Sequence, residues 1–276
     1  MFGDVVVPLD GTPEAMRALG PAGAIAHYLD TKVQVVAIDV EGGDFAKRVE
    51  SQLSDLGDVD RRLTLADPDG DLPGQLLGIV ADHPGALLVM ASHGADPDEP
   101  GGALAAALLT QSVLPMVLIG PDFSPGRFRC HGPLVAAIDA DEHSHSILPV
   151  VEAFGIVFDF DVEIDIVSSG GPDTADGGAA LDLVEGLAAN AAEKIGAPVS
   201  ARLVVGDDAA VGIVARATEA RASLIAMATH GHGEDPVAVL GSTTLDVVRH
   251  APCPVLAMRP AVLATDGVPL APAAPA

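Results

Sequence analysis

The chain has 276 residues, of which 49% are hydrophobic and 3% aromatic, and its 39 acidic and 14 basic residues give a formal net charge of −25. The excess of acid is spread over both halves, and such a surface argues against nucleic acid and anionic membranes as partners. The N-terminus, MFGDVVVPLD, has no signal-peptide pattern, and no segment reaches the ~20 apolar residues that span a bilayer, so a soluble cytoplasmic protein is expected.

The first half of the chain alternates short apolar segments with segments that favour helix. Five strands are predicted at VVVPLD, VQVVAIDV, RRLTLA, ALLVMAS and MVLIG, with helices over 13–28, 45–56, 72–82 and 103–112. Thr12 suits the N-cap of the first helix, and Pro13 suits its first position. Helices of about 10 to 15 residues between strands predict parallel pairing through right-handed crossovers.

The second half of the chain repeats the first. DVVVPLDGTPEAMRAL is matched by PLVAAIDADEHSHSIL, ALLVMASHG by SLIAMATHG, and LPMVLIGP by CPVLAMRP, in the same order and about 130 to 140 residues apart. Two further strands are predicted at VEIDIVS and ARLVVG, with helices over 181–195, 209–220 and 244–249. The predicted fold is α/β, with two tandem doubly wound parallel five-stranded sheets.

The repeat also predicts how the chain divides. We expect a first domain over residues 1–122, a linker over 123–132 and a second domain over 133–260. The last segment, 261–276, is rich in alanine and proline and is predicted to be a disordered tail.

These segments resemble the universal stress protein family in its tandem form, which is Rossmann-like. The opening VVVPLDGTPEAMRAL is similar to the family's first strand and helix, and THGHGEDPVAVLGSTTLDVVRHAPCPVLAMRP is similar to its final third. The family's nucleotide-binding signature is Gly, two residues, Gly, nine residues, then Gly and Ser or Thr. Gly231 and the pair Gly241-Ser242 fit this signature, and Ala228 stands at its first glycine.

The corresponding loop of the first half departs further from the signature. It is two residues shorter before Gly102, and Ala103 replaces the hydroxyl residue. Asp96, Asp98 and Glu99 crowd the loop with carboxylates, whereas a phosphate site needs backbone N–H groups and other donors. The first half is therefore interpreted as degenerate and mainly structural.

The resemblance implies an adenine nucleotide site in the second half, with ATP as the expected ligand. Asp139 would contact the sugar or base, and the backbone at Ile166 and Val167 would meet the adenine. The phosphates would be held by the glycine loop and the start of the next helix, at Ala228, Gly231, Gly241, Ser242, Thr243 and Thr244. A helix N-terminus favours such an anion because its first N–H groups are free and its dipole is positive there. Mg²⁺ or Mn²⁺ could offset the repulsion from nearby acids, which are Asp141, Glu142, Glu234 and Asp235.

Four histidines border the same predicted crevice, namely His143, His145, His230 and His232. Imidazole together with carboxylate suits a transition metal. Solvated loop residues are the preferred interpretation, and no metal site is assigned.

The functional prediction is a regulatory protein of the stress response that binds a nucleotide and changes its contacts with an unidentified protein partner. The alternative is an interaction scaffold in which both sites are degenerate. No enzyme is predicted, beyond a weak ATPase, because neither GxSxG nor GxxxxGK[ST] is present. The resemblance further implies that the two halves pack as an intramolecular pseudo-dimer through MVLIG and VLAM, and it leaves open a homodimer of whole chains.

Overall fold

The computed structural model describes residues 2–38, 47, 49, 51, 61–67, 70–83, 85–92, 103–112, 114–123, 128–229 and 241–260. The strands are β1 (Val5–Leu9), β2 (Val33–Ile38), β3 (Arg61–Ala66), β4 (Leu87–Ala91), β5 (Met116–Ile119), β6 (Gly132–Ile138), β7 (Phe160–Ser168), β8 (Ser200–Val205), β9 (Leu224–Ala228) and β10 (Val255–Met258). The α-helices are α1 (Pro13–Met16), α2 (Leu19–Leu29), α3 (Leu72–Ala81), α4 (Ala103–Gln111), α5 (Leu148–Phe158), α6 (Ala175–Ile195), α7 (Ala209–Ala220) and α8 (Ser242–His250). A 3-10 turn, Ser144–Ile147, precedes α5.

The predicted elements that fall on described residues are confirmed, with two instructive differences. The helix expected over 13–28 is divided into α1 and α2, because the N–H groups of Arg17 and Ala18 bond three residues back rather than four. Helix α6 begins at Ala175, six residues before its predicted start, because the Thr174 hydroxyl accepts a hydrogen bond from the Gly177 N–H at 3.1 Å. Most of the helix expected over 45–56 lies outside the described residues.

The ten strands form one sheet in the order β3-β2-β1-β4-β5-β10-β9-β6-β7-β8. Pairing is parallel within each set of five strands, and the two sets have the same order. The sets meet where β5 and β10 pair antiparallel, with Val117 opposite Leu256. The predicted α/β fold is confirmed, and its two five-stranded sheets are continuous with each other.

Helices cover both faces of this sheet, so its central strands carry apolar side chains at almost every position. β1, β2 and β5 are buried along their whole length. One core layer lies under α1, α2, α5 and α6, and the other lies under α3, α4, α7 and α8. No helix among the described residues combines the length and the apolar character that crossing a bilayer requires.

Contacts between the halves continue beyond the shared strand pair. The Arg259 guanidinium, which follows β10, donates to the carbonyl oxygen of Thr110 near the end of α4. Gly120, which follows β5, lies against the carbonyl of Val248 in α8. At the far side of the sheet, Phe2 packs edge-on against Phe154, with ring centroids 4.8 Å apart. The two halves therefore share one core as well as one sheet.

Candidate functional site

A cavity of about 420 Å³ opens at the carboxyl ends of β6 and β9. These two strands pair with each other at the point where the strand order of the second half reverses, which is where open α/β sheets bind ligands. The walls come from both strand ends, from β7, and from the first turns of α7 and α8. The lining residues are Ala137, Ile138, Asp139, Ser144, Val167, Ala209, Ile213, Met227, Ala228, Gly241, Ser242, Thr243 and Thr244.

The structure brings most of the predicted binding residues together around this cavity. Those that line it are Asp139, Val167, Ala228, Gly241, Ser242, Thr243 and Thr244. The side chain of Ile166 is 1% exposed and packs into the opposite core layer, because neighbouring residues of a strand point to opposite faces. Gly231 lies outside the described residues.

Helix α7 supplies a part of the wall that the sequence pattern does not predict. Ala209 and Ile213 stand four residues apart on this helix, and both line the cavity. Their spacing marks a shared helix face. It does not show which strand ends that face will cover, because this depends on where the crossover from β8 places the helix.

Helix α8 begins at the cavity without a side-chain cap. Its N-cap is Gly241, which has φ +68 and no side-chain hydrogen bond. Among the described residues, no acceptor takes a hydrogen bond from the N–H groups of Ser242, Thr243 or Thr244. Four other helices close this end with a hydroxyl or carboxylate, supplied by Thr12, Asp71, Thr174 and Asp208. Within the part of the chain that the structure describes, the first turn of α8 thus has donors without acceptors beside a cavity, an arrangement that suits an anion.

The loop after β6 is held by hydrogen bonds that begin at Asp139. An oxygen of its carboxylate accepts from the Asp141 N–H at 2.8 Å, and its own N–H donates to the Ser144 hydroxyl at 3.1 Å. Asp141 and Glu142 are exposed, and neither lines the cavity. Of the described residues, Asp139 contributes the only carboxylate to the lining. The acidic loop residues that can be placed are therefore directed mainly to solvent.

Two of the four histidines considered as metal ligands belong to this loop. The Nδ1 of His143 lies 2.7 Å from a carboxylate oxygen of Asp141, and the His143 N–H donates to the same oxygen at 2.9 Å. The backbone hydrogen bond and then the side-chain contact hold the pKa of Asp141 below its usual value. Nε2 of His145 lies 3.1 Å from the carbonyl oxygen of Asp139.

The described part of the chain contains no group of three histidine, cysteine or acidic side chains placed to hold a metal ion. His230 and His232 lie outside the described residues, together with Glu234 and Asp235. The interpretation of the four histidines as solvated loop residues stays a prediction.

Sequence and structure comparisons place the chain among known proteins. Residues 161–259 match the sequence profile of the universal stress protein family. A universal stress protein from Archaeoglobus fulgidus DSM 4304 shares the fold over 93% of this chain and 96% of its own, with a TM-score of 0.63 and 16% identity. A protein from Pseudomonas aeruginosa UCBPP-PA14, provisionally named a universal stress protein, does so over 94% of both chains, with a TM-score of 0.63 and 14% identity.

The same fold also occurs outside proteins named for stress. The cytoplasmic domain of a prokaryotic cation chloride cotransporter shares it over 93% of this chain and 95% of that domain, with a TM-score of 0.52 and 10% identity. No curated protein matches the sequence. Because one fold serves several functions, the function has to be argued from the site. Residues 161–259 thus match the universal stress protein family, and the two halves of the chain repeat one fold.

Proposed function

We propose that the second half of the chain binds an adenine nucleotide, with ATP as the expected ligand, and that binding changes the contacts of the protein with a partner in the stress response. The observation that supports this most directly is the open N-terminus of α8. Its N–H groups, which have no acceptor among the described residues, and the hydroxyls of Ser242 and Thr243 border a cavity of about 420 Å³. This volume lies within the range of ~300–1,000 Å³ that is typical of small-molecule sites.

Different parts of the lining suit the base, the ribose and the phosphates of a nucleotide. Val167, Ile213 and Met227 offer apolar surface for a base. The α8 N-terminus offers donors for phosphate, and Asp139 lies between these regions as an acceptor for ribose hydroxyls. The described lining contains no lysine or arginine, which a phosphoryl-transfer site would use to stabilise the leaving phosphates. The proposal is therefore binding without appreciable turnover.

Mg²⁺ or Mn²⁺ would be carried by the nucleotide phosphates rather than by a protein cage. Asp139, Ser242 and Thr243 present oxygen atoms, the donor type that these cations prefer. The cation would reduce the repulsion between the phosphates and Asp139.

The interaction scaffold remains the second candidate because part of Asp139 is already engaged. One of its carboxylate oxygens accepts the Asp141 N–H at 2.8 Å, which leaves less capacity for a ribose hydroxyl. A scaffold with two degenerate sites would show no response to nucleotide.

Millimolar Mg-ATP is expected to raise the melting temperature of the wild-type chain by about 5 to 10 °C, which corresponds to ligand at ~100-fold its Kd. Gly241→Val should abolish this shift, because a β-branched residue at φ +68 distorts the first turn of α8. Differential scanning fluorimetry, with calorimetry with and without Mg²⁺, measures both effects.

Gly196→Val is the matched control for this substitution. Gly196 has φ +76, ends α6 and has no atom within 4 Å of an added Cβ, so valine imposes the same backbone strain away from the cavity. Both variants should lose some stability, and Gly196→Val should keep the ATP shift. An unchanged wild-type melting temperature in ATP would favour the scaffold, and a full shift in Gly241→Val would remove the assigned site.

A further inference from the structure

A second cavity, of about 650 Å³, opens in the same half of the chain, at the opposite end of the strands. It lies at the end where β6, β9 and β10 begin, whereas the first cavity lies at the carboxyl ends of β6 and β9. Its walls are the segment that leads into β6, the last turn of α7, and Pro252 before β10. The two cavities share no lining residue.

The charged groups of this second cavity are unusual for a chain with a net charge of −25. Arg129 and Arg221 line it together with His131, and its described lining includes no carboxylate. The side chains of Arg129 and Arg221 make no ion pair or hydrogen bond with any residue that the structure describes. Other arginines are engaged, including Arg216 and Arg202 with Glu163, and Arg249 with Asp246. Two guanidinium groups without a partner among the described residues therefore share one cavity.

The backbone at Arg221 gives an independent reason to look for a role. It ends α7 with φ 53 and ψ 45, a left-handed conformation that glycine adopts without strain. Asp30 and Asp159 are the other described non-glycine residues with positive φ, and aspartate tolerates this region because of its short polar side chain. Arginine has no such advantage, so glycine at this position would give a more stable end to α7. An observed backbone outlier of this kind points to a function of the side chain.

The wall opposite Arg221 is held in place by hydrogen bonds from the start of β9. The Ser223 N–H donates to the Pro133 carbonyl at 2.8 Å, and the Ser223 hydroxyl donates to the His131 carbonyl at 2.8 Å. These bonds fix the segment from His131 to Pro133 beside the end of α7. The cavity is thus formed in the folded chain and does not depend on a ligand to assemble it.

We propose that this second cavity binds the phosphate group of a small organic molecule, at a site separate from the nucleotide cavity. The planar guanidinium of arginine matches phosphate with two parallel hydrogen bonds, and two of them can hold one dianion. Pro133, Ala217, Ala222 and Pro252 supply apolar surface beside the arginines, which suits the organic part of the molecule. The absence of carboxylate from the described lining removes the repulsion that the rest of this acidic surface would impose.

Isothermal titration with pyrophosphate tests the proposal on the full chain. Wild type is expected to bind pyrophosphate, and the affinity should fall as NaCl is raised from ~0.05 to ~0.5 M because the contacts are ionic. Arg221→Gly and Arg129→Gln should each weaken binding by about tenfold or more. Arg221→Gly should not lower the melting temperature, because glycine relieves the left-handed backbone, so a loss of binding cannot be attributed to unfolding.

The control Arg249→Gln removes the same charge from α8 and should leave the affinity unchanged. The proposed nucleotide site is a second expected site for pyrophosphate, so the arginine variants are also measured in the Gly241→Val background, where the same loss of binding is expected. The proposal is overturned if Arg221→Gly and Arg129→Gln bind pyrophosphate as tightly as Arg249→Gln does. It is equally overturned if Gly241→Val alone abolishes binding, or if a hexaglutamate peptide binds more tightly than pyrophosphate, which would assign the arginines to an acidic protein partner.

Discussion

Replacement of Gly120 by alanine is expected to lower the free energy of unfolding by about 3 kcal/mol, because the substitution forces the two halves of the molecule apart. A Cβ at Gly120 would overlap the carbonyl oxygen of Val248 and would lie 3.0 Å from its carbonyl carbon. The obstacle is backbone in α8 rather than the end of a flexible side chain, so it cannot rotate away. Relief requires a shift of α8 relative to β5.

The effect should extend beyond one contact, because Gly120 lies immediately after the strand that joins the halves. β5 pairs antiparallel with β10, and the Arg259 guanidinium beyond β10 donates back to Thr110 in α4. A displaced α8 would strain both this strand pair and the arginine contact. We therefore expect the urea midpoint to fall for the whole molecule.

Gly78→Ala provides the matched control for Gly120→Ala. Gly78 lies inside α3, is exposed, and has no atom within 4 Å of an added Cβ. Alanine there should stabilise the chain by about 0.5 to 1 kcal/mol, because it lowers the entropy of the unfolded chain and favours helix. Urea unfolding monitored by circular dichroism measures both variants. If Gly120→Ala unfolded at the same urea concentration as wild type, the close packing of the halves would be wrong.

Much of this fold could be predicted from the sequence, because the apolar segments indicate the strands and the internal repeat indicates that both halves share one fold. Apolar runs such as VVVPL and LIAMA become buried strands, and the three matched segments predict the same strand order in both halves. Periodicity and repetition do not predict that the two five-stranded sheets join into one. The pairing of β5 with β10 was expected only from the resemblance, since nothing in these short strands specifies an antiparallel partner more than 130 residues away.

The candidate site shows the same division between local and non-local information. Gly241, Ser242 and Thr243 were predicted from a spacing pattern, and they line one cavity because the chain turns there into α8. Ala209 and Ile213 were missed, because their place in the wall depends on packing between α7 and the strand ends. The sequence thus predicts some of the residues that line the cavity, whereas the shape of the cavity depends on how the helices pack on the strands.

A buried acidic pair under α7 is expected to make the stability of the chain depend on pH. Glu163 and Asp165 stand two apart on β7, so both point to the face that α7 covers. The Arg216 guanidinium, from α7, donates to Glu163 through Nε and through Nη2, the latter at 2.8 Å. Its Nε is 3.9 Å from the nearer oxygen of Asp165. Asp165 is 1% exposed, and as a carboxylate it has no hydrogen-bond partner among the described residues.

This environment shifts the pKa values of the two acids in opposite directions. Burial, and then the charge of Glu163, raise the pKa of Asp165 from 3.8 to about 8. Burial would also raise the pKa of Glu163, but the hydrogen bonds from Arg216 outweigh it and hold that pKa below its usual value. At neutral pH the favoured state is an ionised Glu163 paired with Arg216 beside a protonated Asp165. The proton gives Asp165 a donor toward Glu163 and removes an unpaired buried charge.

The sign of the pH dependence follows from the raised pKa of Asp165. The folded chain holds this proton more tightly than the unfolded chain, so its stabilising contribution is complete below pH ~4 and is lost as the pH rises toward ~8. The loss approaches ~1.4 kcal/mol per pH unit within that window. Self-repulsion of the acidic chain also grows with pH, so each variant has to be compared with wild type at the same pH.

Between pH 5 and pH 8 the stability of Asp165→Asn relative to wild type is expected to rise by about 3 to 4 kcal/mol, because asparagine keeps the shape of the acid and cannot ionise. Urea unfolding at intervals from pH 5 to pH 8 measures the difference. Asp161→Asn, an exposed position on the same strand, changes the net charge equally and should give a difference that stays nearly constant with pH. If the gap between Asp165→Asn and wild type were also constant over this range, Asp165 would not be the group that takes up the proton on folding.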